Sequence, residues 1–134
     1  MKRIVLTFIA GAALAACADD ATEPVDAVEF TVAVEDEQFR VRIEDPAEIA
    51  QARALINTTN TVNVNGQILR GHGGFNTGYS WHLKPSTVQL VDLTIELCDG
   101  MPSYVEENVD YYVDTVKAYC PWGARIIGEA SEPQ

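Results

Sequence analysis

The scarce reactive side chains of this 134-residue chain are two histidines, His72 and His82, and three cysteines, Cys17, Cys98 and Cys120. His82 stands beside Trp81, and Glu96 and Asp99 follow downstream. An imidazole and two carboxylates could hold a divalent metal that activates water, or work as an acid/base pair. On that reading His82, Glu96 and Asp99 make a small metal-assisted hydrolase, although their spacing matches no HExxH-type signature. A plainer assignment competes with it. His82 is then a half-buried strand residue donating one hydrogen bond, Glu96 is its partner or that of Arg125, and Asp99 caps a turn. Trp81 and Trp122 lie in the C-terminal half with Tyr79, Tyr104, Tyr111, Tyr112 and Tyr119. They could line a carbohydrate or peptide groove, but filling the core and covering a disulfide is the commoner use of such rings. No GxSxG supplies a nucleophile, Gly71-His72-Gly73-Gly74 fits neither a P-loop nor a dinucleotide fingerprint, and no EF-hand loop is present. The expectation is a non-enzymatic binding or interaction module for an unidentified protein or small ligand, needing no cofactor. The hydrolase is the alternative.

The cysteines carry a different chemistry. Met1-Lys2-Arg3 is followed by an uncharged apolar run, Ile4 to Ala16, and then by Cys17. A basic start, a short apolar stretch and small residues before a cut describe a secretory signal peptide. The run falls short of the roughly 20 apolar residues that span a bilayer. Leu14-Ala15-Ala16-Cys17 looks like a lipobox, in which the Cys17 thiol accepts a diacylglycerol and the amine freed by cleavage accepts a further chain such as palmitate. Two or more chains give stable anchoring at about 0.8 kcal/mol per buried methylene. The expected place is the bacterial cell envelope, on its periplasmic or extracellular face, with the membrane as a partner through the anchor. In that oxidising setting Cys98 and Cys120 read as a disulfide worth roughly 3 kcal/mol. The alternative, two thiols on a metal, lacks a CxxC or a close Cys/His spacing.

Twenty acids against nine bases give a net charge of −11, and losing residues 1–16 removes Lys2 and Arg3 but no acid, leaving 20 against 7, or −13. Such a surface disfavours nucleic acid, which is not expected as a partner, and favours solubility. The 118 residues that remain from 134 suffice for one domain. Residues 17–27 form a lipidated cysteine and a polar tether, 28–129 the domain, and 130–134 a featureless tail.

The elements that must position these residues follow from periodicity. Val28, Phe30, Val32 and Val34 alternate, then Phe39, Val41 and Ile43 after an acidic turn, which predicts a β-hairpin. Asp45-Pro46-Ala47-Glu48 is a capping box opening a helix through Ile49, Ala52, Leu55 and Ile56 that ends near Asn57. Asn65-Gly66 reads as a turn between strand-like flanks, Gly71 to Gly78 as a flexible loop, Tyr79 to Leu83 as a strand, and Thr87 to Leu97 as a long strand-like stretch. Ser103-Tyr104-Val105-Glu106 is a second capping box, with Val105, Val109, Tyr112, Val113 and Val116 on one helical face. Trp122 to Gly128 returns as a last strand. The fold class is α+β: a single small domain, one largely antiparallel sheet, about two helices and one disulfide.

From Phe39 onward the sequence carries a distinctive order: Asp45-Pro46, Ala52-Arg53, Phe75-Asn76, Ser80-Trp81-His82-Leu83-Lys84-Pro85, Glu96-Leu97-Cys98-Asp99, Val105-Glu106 and Cys120-Pro121-Trp122. It resembles the N-terminal domain of a slime-mould calmodulin-binding protein, a domain with many secreted bacterial relatives. The resemblance implies a compact secreted domain and supports the Cys98–Cys120 pairing, but it brings no activity. Calmodulin itself is not expected as a partner. Its targets are basic amphipathic helices, and the helix after Ser103 carries Glu106, Glu107, Asp110 and Asp114.

Overall fold

The computed structural model describes residues 26–130. The signal peptide, Cys17 and most of the 17–27 tether lie outside the described residues, as does the tail after Ala130. Alternation builds the first element as expected. Strands β1 (Val28–Val34) and β2 (Glu37–Ile43) pair antiparallel, with Val28 opposite Ile43 and Val34 opposite Glu37. The two-residue turn between them places Glu35 at φ 53°. Phe30, Val32, Val34, Phe39, Val41 and Ile43 all face the core. The opposite face carries a charge ladder in which Glu29 accepts from Arg40 at 3.0 Å and lies 3.6 Å from Arg42.

The β-structure is divided, unlike the one sheet expected. The last strand of the chain, Arg125–Glu129, lies on the free edge of β1, with a register shift between Thr31 and Val32. Two separate antiparallel ladders complete the structure: β3 (Asn63–Asn65) with β6 (Gln89–Val91), and β4 (Ile68–Arg70) with β5 (Trp81–Leu83). Arg125–Glu129 is therefore β7. Asn65-Gly66 does not turn a hairpin, because the strands on either side of it pair with different partners. The Gly66 amide and carbonyl are both taken by the backbone of Tyr119, at 3.2 and 3.0 Å. The expected long strand from Thr87 to Leu97 is also corrected. Only Gln89–Val91 pairs, and 3₁₀ turns at Pro85–Thr87 and Glu96–Cys98 flank it.

Helix α1 (Pro46–Leu55) starts as its sequence dictates: Asp45 Oδ1 accepts from the amides of Ala47 and Glu48 at 2.8 and 3.3 Å. Asn57, at φ 64°, follows its end. Glu48 does not close the capping box. Its carboxylate accepts from the Leu90 amide at 2.8 Å, because that partly buried strand donor needs an acceptor and water cannot serve it. The helix is thereby tied to β6, while Arg53 forms a two-pronged bond with Glu129 on β7 at 3.1 and 2.8 Å.

The second capping box is overturned for a similar reason. Helix α2 (Pro102–Glu107) begins one residue before Ser103. The Ser103 amide and hydroxyl both donate to Glu37, each at 2.9 Å, whereas Glu106 accepts from the amide and hydroxyl of Ser80 at 2.8 and 2.7 Å. Distant carboxylates thus take the groups that the local motif would have paired. After Asn108 the chain resumes as α3 (Val109–Tyr111), passes into a π turn over Tyr112–Val116 and stops at Lys117, φ 64°. Val105 and Tyr112 are buried, and Val109, Val113 and Val116 pack on the same core, as their spacing predicts. Arg70 of β4 clasps Asp110 and Asp114 and holds this helix down. No helix of the described residues is long and apolar enough to cross a membrane.

Candidate interaction surface

The structure does not gather His82, Glu96 and Asp99 into one centre. Among the described residues, no three His, Cys, Asp or Glu side chains stand where they could hold a metal ion. His82 Nδ1 lies 2.7 Å from the Gly71 carbonyl and so carries the proton of that bond. Its ring meets Phe75 edge-on at 5.6 Å, and the Arg42 guanidinium lies 4.8 Å from the same phenyl. Gly73 lies so close over the imidazole that a Cβ there would come within 2.7 Å of it. His72 is exposed and accepts from the Gly74 amide at 2.9 Å. The second loop position that matters, Asn76, is 1% exposed. Its Oδ1 accepts from the Arg40 amide at 2.9 Å and its Nδ2 donates to the Trp81 carbonyl at 2.8 Å. Trp81 is fully buried among Phe39, Tyr79 and Tyr119, with ring centroids 5.1 to 5.4 Å away. No ligand reaches it there; it is core.

What the fold does bring together is a set of restraints on Cys98-Asp99-Gly100. Cys98 and Cys120 are joined as a disulfide with their Cα atoms 5.1 Å apart, and the Cys120 amide donates to the Cys98 carbonyl at 2.8 Å. Tyr112 donates its hydroxyl to the Asp99 carbonyl and Tyr119 to the Gly100 carbonyl, both at 2.7 Å. Asp99 Oδ1 accepts from the Trp122 amide at 2.8 Å, so the turn-capping expected of Asp99 reaches across to the other cysteine's segment. Burial pushes both phenols above their ordinary range, most strongly Tyr119, which keeps them protonated donors. Gly100 sits at φ 151°, where a Cβ would meet the Tyr112 hydroxyl at 2.6 Å; only glycine fits.

Immediately before this clamp the chain is also held, because Asn63 Nδ2 donates to the Asp92 carbonyl at 3.0 Å. Between the two anchors Leu93, Ile95 and Leu97 are 88, 65 and 56% exposed. Trp122 and Tyr104 add apolar surface at 41 and 52% exposure. Trp122 therefore does not bury itself as the expected cover of the disulfide; only its amide is engaged, by Asp99. Glu96 is exposed between Ile95 and Leu97, and among the described residues its carboxylate makes no bond. Scattered exposed aliphatic residues are ordinary, but consecutive ones on a segment fixed at both ends mark a surface that contacts something. Its chemistry is apolar contact edged by carboxylates, with no nucleophile. The signal was present in the sequence as the Leu93, Ile95, Leu97 alternation, which reads equally well as a buried strand.

Among family models, the one for the N-terminal domain of the slime-mould calmodulin-binding protein matches residues 25–133. That span takes in every segment on which the resemblance rests. No curated protein and no solved structure matches the chain.

Proposed function

We propose that this chain, which belongs to the family of that calmodulin-binding protein's N-terminal domain, is a lipid-anchored, exported bacterial protein that works as a non-enzymatic binding module. The observation that carries the reading is the Leu93, Ile95, Leu97 segment, exposed yet fixed at Asp92 and at Cys98-Asp99-Gly100. Covering an exposed Leu or Ile contributes about 1.5–3 kcal/mol. Three side chains already held in place suffice for a specific contact, because little ordering entropy is left to lose on binding. Anchoring is supported by Leu14-Ala15-Ala16-Cys17 and by the disulfide, which suits an oxidising compartment. An acylated Cys17 followed by a polar tether would hold the domain close to a bilayer and leave this face free to meet a partner.

Two measurements test the two halves of the proposal. Intact-mass spectrometry of the native protein should show a chain beginning at Cys17 with acyl mass added; an unmodified N-terminus would end the anchoring half. A photo-crosslinking residue in place of Ile95, in the chain expressed in its own host, should give a discrete adduct. The same residue in place of Glu35, on the hairpin turn, should give none. No adduct at position 95, or identical adducts at both, would end the binding half.

A further inference from the structure

We propose that the partner of this surface is a cationic amphipathic segment, a stretch of peptide or protein in which Lys or Arg alternates with apolar side chains. The inference rests on the binding reading above and names its partner class. Charge complementarity carries it. From Pro85 to Val116 the chain has seven acids (Asp92, Glu96, Asp99, Glu106, Glu107, Asp110 and Asp114) and no Lys or Arg. The same stretch supplies Leu93, Ile95, Leu97, Tyr104 and Tyr111, five of the exposed large apolar residues. Four of the acids are occupied: Asp99 by the Trp122 amide, Glu106 by Ser80, and Asp110 and Asp114 by Arg70. The side chains of Asp92, Glu96 and Glu107 are exposed and make no bond among the described residues. Two of these flank the aliphatic residues directly, in the order Asp92-Leu93-Thr94-Ile95-Glu96-Leu97.

This arrangement discriminates between occupants. A second copy of the chain would bring the same carboxylates and a net charge of −11 to the contact, and like charges brought together oppose pairing. An anionic bilayer repels the face for the same reason, and a neutral one would strip water from Asp92 and Glu96 without returning a partner. A segment with ammonium or guanidinium groups beside its apolar side chains neutralises the carboxylates as it covers the leucines. The clamp at Cys98-Asp99-Gly100 keeps the surface in shape without it.

The test uses the full chain and the fluorescence of Trp122, whose exposed indole adjoins the surface. The probes are synthetic peptides: alternating leucine and lysine, the same length with glutamate for lysine, and the same length with serine for leucine. The leucine/lysine peptide should shift the emission to shorter wavelength with a Kd on the order of 10 μM, weakening as salt is raised. The glutamate and serine peptides should bind at least roughly tenfold more weakly, and D92N/E96Q should cost a similar factor. L93S/I95S/L97S should abolish the shift. Both variants alter exposed side chains and should melt like the parent, which excludes misfolding as the cause. Equal binding of the serine/lysine peptide, or full affinity in D92N/E96Q, would overturn the cationic amphipathic partner. So would a response confined to phosphatidylcholine vesicles or to self-association, but if L93S/I95S/L97S abolished that response the surface itself would stand as a binding site. If this variant changes no response to peptide, vesicle or self-association, the partner and the binding reading both fall.

Discussion

Replacing Asn76 tests the account of how the glycine-rich loop is fixed to the core. The side chain is 1% exposed and spans two elements, accepting from the Arg40 amide of β2 and donating to the Trp81 carbonyl of β5. Asn76→Ala leaves one donor and one acceptor without partners, and each unmet buried group costs about 1–3 kcal/mol, so the variant should lose roughly 2–5 kcal/mol. Asn76→Asp separates the two bonds. A carboxylate still accepts from Arg40, but its second oxygen would face the Trp81 carbonyl with no proton between them. The carboxyl must therefore hold its proton to donate, and burial adds to that preference, so its folded pKa rises well above the unfolded value of about 3.9. A raised folded pKa means that the bond is present below the unfolded pKa and is lost as pH rises through the folded one. Urea unfolding at about pH 4 and about pH 7 reads the sign. Relative to the parent at each pH, Asn76→Asp should be nearly as stable in acid and should approach the Ala variant at neutrality, while the Ala deficit stays constant. An Asp deficit that is equal at both pH values, or larger in acid, would refute the bridging role.

Three further outcomes follow from the same geometry. Converting both Cys98 and Cys120 to serine should cost about 3 kcal/mol by urea unfolding, the loss expected for a loop of 22 residues' separation, and a reductant should then have no added effect. Gly73→Ala combines a Cβ 2.7 Å from the His82 ring with a φ of 66°, and should lower stability by about 1–3 kcal/mol, whereas Gly78→Ala, at φ 95° with open space around it, meets the backbone strain alone and should lose less. Tyr119, held neutral by burial and by its bond to Gly100, should not ionise in the folded protein. Its stabilising contribution is complete below the unfolded pKa of about 10 and falls as pH rises beyond it, so an absorbance titration should show one tyrosine ionising only together with unfolding, and Tyr119→Phe should abolish that step.

Local chemistry determined a good deal of this protein in advance. Alternation specifies the Val28–Ile43 hairpin because a strand's side chains repeat every two residues, and it does so whatever packs on the buried face. Asp45 and Pro46 place the start of α1 because the capping groups are supplied within four residues of one another. The Cys98–Cys120 pairing needed only two cysteines and a family resemblance. What the sequence could not convey is the destination of groups whose partners are far away in the chain. Glu48 looks like the end of a capping box and instead serves Leu90; Ser103 and Glu106 look like one motif and instead bind Glu37 and Ser80. Asn65-Gly66 has the composition of a turn, yet its glycine is held by Tyr119. Each of these polar groups has one partner to take, and only the packed chain determines which lies nearest. The interaction surface shows the same division. Leu93, Ile95 and Leu97 alternate like a buried strand, and periodicity says which side chains share a face but not whether anything covers it. That was decided by the tertiary structure, where β6 stops pairing at Val91 and the clamp at Cys98 holds the next segment against solvent.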